Sequence, residues 1–230
     1  EFVTGGTSTR VTANSTATTL FDSTFYVLSS DRNVYKCLDN DGNTASTVEP
    51  TGTSTSVITT GDGYKWKYMY TLSAAQQSNF LSTDFMAVAT NSTVSSAATD
   101  GGIDIVKIKT AGSSYTVSGG GTSGTITNVP IRGDGSSAVC SVTLTSGAIS
   151  AVTITVNGSG YTSGYIRNAD IIGGTGAGGA GSGAELDVII PPKGGHGKNA
   201  IEELGGFFVM LNTSLEGTEN SNSGDFTAAN

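Results

Sequence analysis

The clearest alternation of apolar and polar residues lies in the first third of the chain. Tyr64, Trp66, Tyr68, Tyr70 and Leu72 alternate with Lys65, Lys67, Met69 and Thr71. A period of two residues is typical of a strand with one buried face, and aromatic residues favour such half-buried strands. The pattern therefore predicts a core strand with solvated lysines on its opposite face. An aromatic platform for sugar binding is the alternative interpretation.

Shorter patterns predict the neighbouring elements. Residues 24–28 and 34–38 are apolar enough for short strands, with loops rich in Thr, Ser, Asn and Gly around them. Ser73 begins a stretch up to Leu81 that suits one or two helical turns. Near the other end, Asn199 and Glu202 form a pair that resembles a capping box, which predicts a short helix stopped by the glycines at 205–206.

Residues 101–190 contain an internal repeat. Residues 105–116 match residues 151–162, so Tyr115 and Tyr161 are equivalent positions, and residues 128–142 correspond to residues 168–188. Each unit is predicted to run strand, glycine-rich turn with Tyr, strand, glycine-rich turn, strand. We expect the two halves to pack against each other, because neither half could bury its apolar face alone.

These elements predict an all-β protein with very few short helices. We expect a β-sandwich-like part in residues 1–100, an inserted duplicated Gly-rich β module in residues 101–190, and a C-terminal segment, 191–230, that returns to the first part. Pro191 marks the second boundary because proline cannot donate to a strand ladder. A strand is predicted over residues 207–212, followed by a mobile tail.

The composition limits the classes of partner. Glycine makes up 33 of 230 residues, and charged residues are only 13%, about half of the usual share. With 11 basic against 19 acidic side chains, the net charge of -8 argues against binding to nucleic acid. No apolar run approaches the roughly 20 residues of a membrane helix, so no membrane insertion is expected.

Two separated groups of residues resemble one protein family. The first is Asn-Val-Tyr-Lys-Cys-Leu-Asp at 33–39, followed by Thr-Val-Glu-Pro at 47–50 and Gly-Asp-Gly-Tyr with an aromatic strand at 61–70. The second is Gly-His-Gly at 195–197 with Ile-Glu-Glu-Leu-Gly at 201–205 and the apolar run 207–211. In this order they resemble the baseplate wedge protein of T-even-like contractile-tailed bacteriophages.

The resemblance implies a structural protein and not an enzyme. Members of that family are virion proteins of the tail baseplate, assembled in the host bacterial cytoplasm, so the expected partners are other tail subunits and a second copy in a homodimer. Family members carry a longer region before the Tyr-Lys-Cys segment, and the chain begins at Glu1, which we interpret as a processed end or a boundary. The repeat module would be an insertion.

Exposed strand edges and polar loops are the candidate interfaces, because β-rich assemblies often join edge to edge. One candidate loop contains Gly61, Asp62, Gly63 and Tyr64. The other contains Gly195, His196 and Gly197.

Motifs with possible chemistry have simpler explanations. The Gly-x-Gly-x-x-Gly pattern at 174–179 precedes a predicted strand, whereas dinucleotide binding needs a helix there. His196 is the only histidine and lacks a nearby nucleophile, so we expect a structural hydrogen bond or solvation. Residues 39–43 lack the spacing of a calcium loop and predict a tight acidic turn. No catalytic residue, metal or cofactor is predicted.

Three further features leave alternatives open. Cys37 and Cys140 are expected to be buried free thiols, although a disulfide between them is possible on sequence alone. The adhesion-like tripeptide at 132–134 occupies a predicted turn, so its occurrence is interpreted as coincidence. A polysaccharide-degrading enzyme would require paired carboxylates in a cleft, and no pair stands out among the scattered acids.

The rival function is a phage or cell-surface adhesin. In that hypothesis the repeats display loops, and four aromatic residues contact host glycans: Trp66, Tyr115, Tyr161 and Tyr165.

Overall fold

The computed structural model describes residues 2–3, 25–206 and 208–212, and the fold class predicted from sequence, all-β with few short helices, is confirmed. The strands are β1 Phe2–Val3, β2 Tyr26–Leu28, β3 Asn33–Asp39, β4 Ile58–Thr59, β5 Lys65–Thr71, β6 Phe85–Met86, β7 Ile105–Ser113, β8 Gly124–Pro130, β9 Arg132–Gly133, β10 Val139–Thr145, β11 Ala148–Val156, β12 Gly164–Tyr165 and β13 Ser182–Ile189. The helices are α1 Ala74–Phe80, α2 Ser92–Ala97, α3 Asn168–Ile172 and α4 Ala200–Leu204.

The described strands pair antiparallel in sheets of two to four strands. The strand orders are β1-β6, β2-β3-β5-β4, β7-β13-β12-β9 and β11-β10-β8. One apolar core lies inside the repeat module, between residues 103 and 188. Two others lie on the sheet β2-β3-β5-β4, and α4 contributes Ala200 and Leu204 to one of them.

A β-bulge in β5 changes the face on which its side chains lie. Val34 pairs with Tyr70 and Tyr35 pairs with Tyr68, so Met69 is the extra residue between them. A bulge disrupts the two-residue alternation at the point where it occurs. The predicted single apolar face is therefore wrong, because the side chains before and after the bulge enter different cores.

Both faces of β5 are buried as a result. Trp66 and Tyr68 pack with Tyr35 in one core, whereas Tyr70 and Leu72 belong to the other. Lys67, which the alternation predicted to be solvated, is only 5% exposed. The strand is thus covered on both sides and its central lysine lies inside the protein.

The two predicted helix starts are confirmed. Ser73 Oγ accepts a hydrogen bond from Gln76 N, and the Gln76 side chain accepts from Ser73 N in return, which completes a capping box before α1. Asn199 Oδ1 accepts from Glu202 N at 3.4 Å before α4. Gly205, in the left-handed region with φ of 76°, ends that helix.

The end of the described chain differs from its prediction. Residues 208–212 form no strand, and Val209 and Leu211 are 88% and 85% exposed. The predicted strand at 24–28 is observed over Tyr26–Leu28, and Phe25 lies just before it. Thr24 and the tail after Asn212 lie outside the described residues.

The two halves of the repeat module interlock. β7, the first strand, pairs along its whole length with β13, the last strand, while β10 and β11 form the hairpin between the halves. Tyr161 Oη donates to Ile131 O at 2.9 Å and accepts from Ala138 N at 3.3 Å. Tyr115 of the first half accepts in the same way from Ala184 N of the second half at 3.4 Å. Both halves thus contribute to one shared core.

The second half departs from the predicted strand order. Helix α3 occupies residues 168–172, in a part of the second half that the repeat predicts to be a strand. The glycine-rich run that follows makes an isolated bridge from Thr175 to Thr127 and leads into β13. Because no helix begins after these glycines, they lack the geometry of a dinucleotide site.

Substitution of Gly135 tests the packing of Tyr161. A Cβ at Gly135 would overlap the Tyr161 ring and lie 2.6 Å from its backbone N. We expect Gly135→Ala to lower the free energy of unfolding by about 1–3 kcal/mol through overpacking, measured by urea denaturation. Gly61→Ala is the control, since a Cβ there meets nothing within 4 Å. Equal midpoints for the two variants would contradict the described packing.

Candidate functional site

The two segments that carry the family resemblance meet in one buried cluster. Lys36 lies on β3 and Glu203 lies on α4, 167 positions away. Lys36 Nζ is 3.0 Å from Glu203 Oε2, so the first segment is tied to the closing segment by an ion pair.

The Gly-His-Gly turn completes this cluster. His196 Nδ1 is 3.0 Å from Glu203 Oε2, and the backbone N–H of Gly197 donates to Glu203 Oε1. The side chains of Glu203 and His196 are 2% and 8% exposed. Since the carboxylate can only accept, we assign the Nδ1 proton to His196.

The cluster keeps Glu203 ionised. Burial raises the pKa of this carboxyl, but the hydrogen bond from His196, the positive charge of Lys36 and the N–H of Gly197 together lower it below its usual value. A catalytic triad would need a nucleophile against the histidine, and the described contacts of His196 are with Glu203. The expectation of a structural hydrogen bond for this histidine is confirmed.

The expected exposure of the second candidate loop is wrong. Gly195, His196 and Gly197 are all buried, and a Cβ at Gly195 would overlap the backbone of Thr99. Both glycines have positive φ, 92° and 86°, as is typical of glycine in a turn. The two glycines predict this turn from the sequence, but they do not predict its burial. The turn is therefore packed in the interior of the protein. An interface formed by this turn stays a hypothesis, and the burial of its three residues does not support it.

The first candidate loop forms hydrogen bonds with residues 44–48 of the same chain. Asp62 accepts hydrogen bonds from Thr47 N at 2.7 Å and Val48 N at 3.0 Å. Its pKa is lowered mainly by the hydroxyl of Thr60 and further by these N–H groups and the hydroxyl of Ser46. Tyr64 Oη donates to Thr44 O. Of the four residues only Gly61 is exposed; the other three are half-buried.

The aromatic residues expected in an adhesin are mostly inaccessible. Trp66 and Tyr161 are each 3% exposed, and Tyr115 is fully buried. Only Tyr165 of the four, with 53% exposure, could contact a glycan.

The adhesion-like tripeptide is engaged within the chain. Arg132 forms an ion pair with Asp170 at 2.8 Å, and Asp170 also binds Arg167 at 2.9 Å. Asp134 accepts from the backbone N–H groups of Thr162 and Ser163, each at 2.9 Å. The hydroxyl of Thr162 and these N–H groups lower the pKa of Asp134, and the hydrogen bonds from Arg167 and Arg132 lower that of Asp170. The tripeptide therefore has a structural role.

The remaining motifs agree with their simpler interpretations. Cys37 and Cys140 are free thiols, but only Cys140 is buried; Cys37, expected to be buried as well, is half-buried because it lies in the outer part of β3. Burial raises the pKa of Cys140 to about 12. A 3-10 turn at Asp41–Asn43 confirms the tight acidic turn. Within the described ranges, no group of three or more His, Cys, Asp or Glu residues could hold a metal ion. None of the described helices has the length and apolarity to cross a membrane.

A cleft of about 400 Å³ lies beside the cluster, between the first part of the chain and the repeat module. Its lining consists of residues 55–57, 97–99 and 152–155 together with Thr59, Lys65, Lys67, Gly102, Asp104, Asn157 and His196. Lys67 donates to Thr55 O at 2.7 Å and lies 3.9 Å from Asp104 Oδ2. The sequence predictions missed this cleft because it forms between segments up to 141 positions apart in the chain.

Compared with protein-family models, with curated proteins and with solved structures, the chain matches none.

Glu203→Gln tests the cluster. We expect this change to lower the free energy of unfolding by about 1.5–3 kcal/mol at neutral pH, because it removes the charged acceptor of the hydrogen bond from the half-buried Lys36. Glu202→Gln, on the same helix but exposed, is the matched control and should change the stability by less than about 0.5 kcal/mol. Chemical denaturation of the three proteins measures the difference.

The same comparison has a defined pH dependence. A carboxyl whose pKa is lower in the folded state stabilises the protein above the unfolded pKa of about 4.3 and loses that contribution as the pH falls through the folded value. The difference between wild type and Glu203→Gln should therefore shrink below about pH 4. A difference that stays constant down to pH 2 would argue against an ionised Glu203.

Proposed function

We propose that this chain is an architectural subunit of the tail baseplate of a contractile-tailed bacteriophage, a wedge component that joins neighbouring subunits. The observation that carries the proposal is the buried cluster of Lys36, His196 and Glu203. Each side chain comes from a segment that resembles the wedge family, and the segments are far apart in the chain. Their convergence supports one folded unit as the origin of the resemblance.

The junction with the repeat module supports its interpretation as an insertion. Gly194 N donates to Asp100 Oδ1 at 2.6 Å, and Ser95 Oγ donates to Lys198 O at 3.0 Å. The chain therefore leaves and re-enters the first part at neighbouring points, which is the geometry that tolerates an inserted module. A wedge protein could acquire such a module without losing its own core.

Exposed apolar side chains support an assembly subunit. Phe208, Val209 and Leu211, close together in the chain, are 42%, 88% and 85% exposed. Groups of exposed apolar residues are typical of surfaces that contact other proteins. Contacts with other tail subunits and a homodimer are part of the proposal, on the basis of the family resemblance. The adhesin alternative retains only Tyr165 of its four aromatic contacts.

Immunogold electron microscopy tests the proposed location. With antibody raised against residues 101–190, we expect gold labels at the baseplate end of the tail of native particles from the source. The same antibody, first absorbed with the purified chain, is the control and should leave the particles unlabelled. Labels at fibre tips or on a cell surface would favour the adhesin, and their absence from all tailed particles would refute the phage assignment.

A further inference from the structure

A row of exposed side chains crosses the outer face of the sheet β7-β13-β12-β9. Arg132 of β9 pairs in register with Tyr165 of β12, and Tyr165 pairs in register with Asp187 of β13. Residues paired in this way place their side chains on the same face of a sheet, about 5 Å apart. Val188, the neighbour of Asp187, belongs to the module core, so Asp187 lies on the opposite, outer face. The row therefore places an aromatic ring between a guanidinium and a carboxylate.

The ring of Tyr165 is the apolar part of this row. Tyr165 is 53% exposed, whereas Tyr115 and Tyr161 of the same module are buried in its core. The hydroxyl of Tyr165 forms no hydrogen bond with any described residue. The outer face thus offers a free aromatic ring, which combines an apolar body with a polar end.

Asp187 supplies an acceptor on one side of the ring. It is exposed, and its side chain forms neither an ion pair nor a hydrogen bond within the described part of the chain. Lys107 pairs with it in register on β7, but Lys107 Nζ lies 3.6 Å from Asp39 instead. Since an ionised carboxylate only accepts hydrogen bonds, a ligand at this position has to donate them.

Two guanidinium groups supply donors on the other side of the ring. Arg132 and Arg167 each direct Nε and Nη2 to the carboxylate of Asp170. Asp170 raises the pKa of both groups, and Tyr165 is close enough to raise it further. A guanidinium has five N–H donors, so both Nη1 groups are left without an acceptor among the described residues. The two side chains are 44% and 54% exposed, which leaves these donors accessible.

The charges around the ring balance each other. The two guanidiniums are offset by Asp170 and Asp187, and the ammonium of Lys107 is offset by Asp39. A charged ligand is therefore not favoured over a neutral one. A protein partner is not favoured either, because the centres of protein interfaces are depleted of charged residues and this ring has them on both sides. A neutral ligand fits best if it has an apolar face and hydroxyls that both donate and accept.

We propose that this row binds a neutral pyranose sugar. The C–H groups on one face of the sugar ring pack on Tyr165, since the face of an aromatic ring carries partial negative charge. Two neighbouring hydroxyls of the sugar donate to Asp187, and a third accepts from Arg132 or Arg167. The inference rests on the outer face of the repeat module alone and is independent of the proposed architectural function.

Titration of the ¹⁵N-labelled full chain with three neutral methyl pyranosides, those of glucose, galactose and mannose, tests the site by NMR. With at least one of them we expect shifts of the amide signals of residues 132–133, 164–165 and 186–188. Sorbitol has hydroxyls but no ring, so it should bind about tenfold more weakly. Equal binding of sorbitol, or no shifts at these amides with any of the three sugars, would overturn the site.

Two pairs of variants test the two contacts separately. Tyr165→Ala should weaken binding about tenfold, whereas Tyr165→Phe keeps the ring and should bind within about twofold of wild type. Asp187→Asn should weaken binding about tenfold, because it replaces a charged acceptor by a neutral one. Glu185→Gln is its matched control, since Glu185 lies on the same strand and is 66% exposed, and it should bind like wild type.

The amide spectrum of each variant shows whether it is folded. Wild-type affinity of a folded Tyr165→Ala or Asp187→Asn variant would overturn the assignment of that residue. A change of the oligomeric state with Tyr165→Ala, without any shift caused by a sugar, would assign the face to a protein partner and overturn the proposal.

Discussion

The arrangement of the first part of the chain depends on the buried carboxylate of Glu203. An ionised carboxylate in the interior is costly unless charges and hydrogen bonds surround it. Here Lys36 and His196 each approach Oε2 to 3.0 Å, and the Gly197 N–H donates to Oε1. These contacts require β3, the 195–197 turn and α4 to lie side by side. The cluster therefore fixes how β3, the turn and α4 lie relative to one another, which local sequence patterns do not determine.

The repeat module obeys a different constraint. Its apolar core is completed by pairing the first strand, β7, with the last, β13, so the chain must return to the place where the module begins. This closure brings Gly194 within hydrogen-bond distance of Asp100 and delivers the 195–197 turn to the cluster. The pairing of β7 with β13 inside the module thus positions His196, whose side chain contacts Glu203 outside the module.

Local features were predictable from sequence because their causes are local. Ser73 and Asn199 cap helices through residues three positions away, and the alternation at 64–72 marked a real strand. The bulge at Met69 depends on the pairing partner of β5, so the burial of Lys67 could not be read from the alternation. Helix α3 likewise lies where a strand is predicted. The contact between Lys36 and Glu203 joins positions 167 residues apart, so local sequence patterns could not predict it.

Lys67 connects the structural cluster to the cleft. A Cβ at Gly197 would lie 3.6 Å from Lys67 Cε, so the lysine stem packs on the same turn that donates to Glu203. Its ammonium faces Asp104 at the beginning of the repeat module. The ion pair of Lys67 with Asp104 therefore joins β5 to the beginning of the repeat module, next to the turn that binds Glu203.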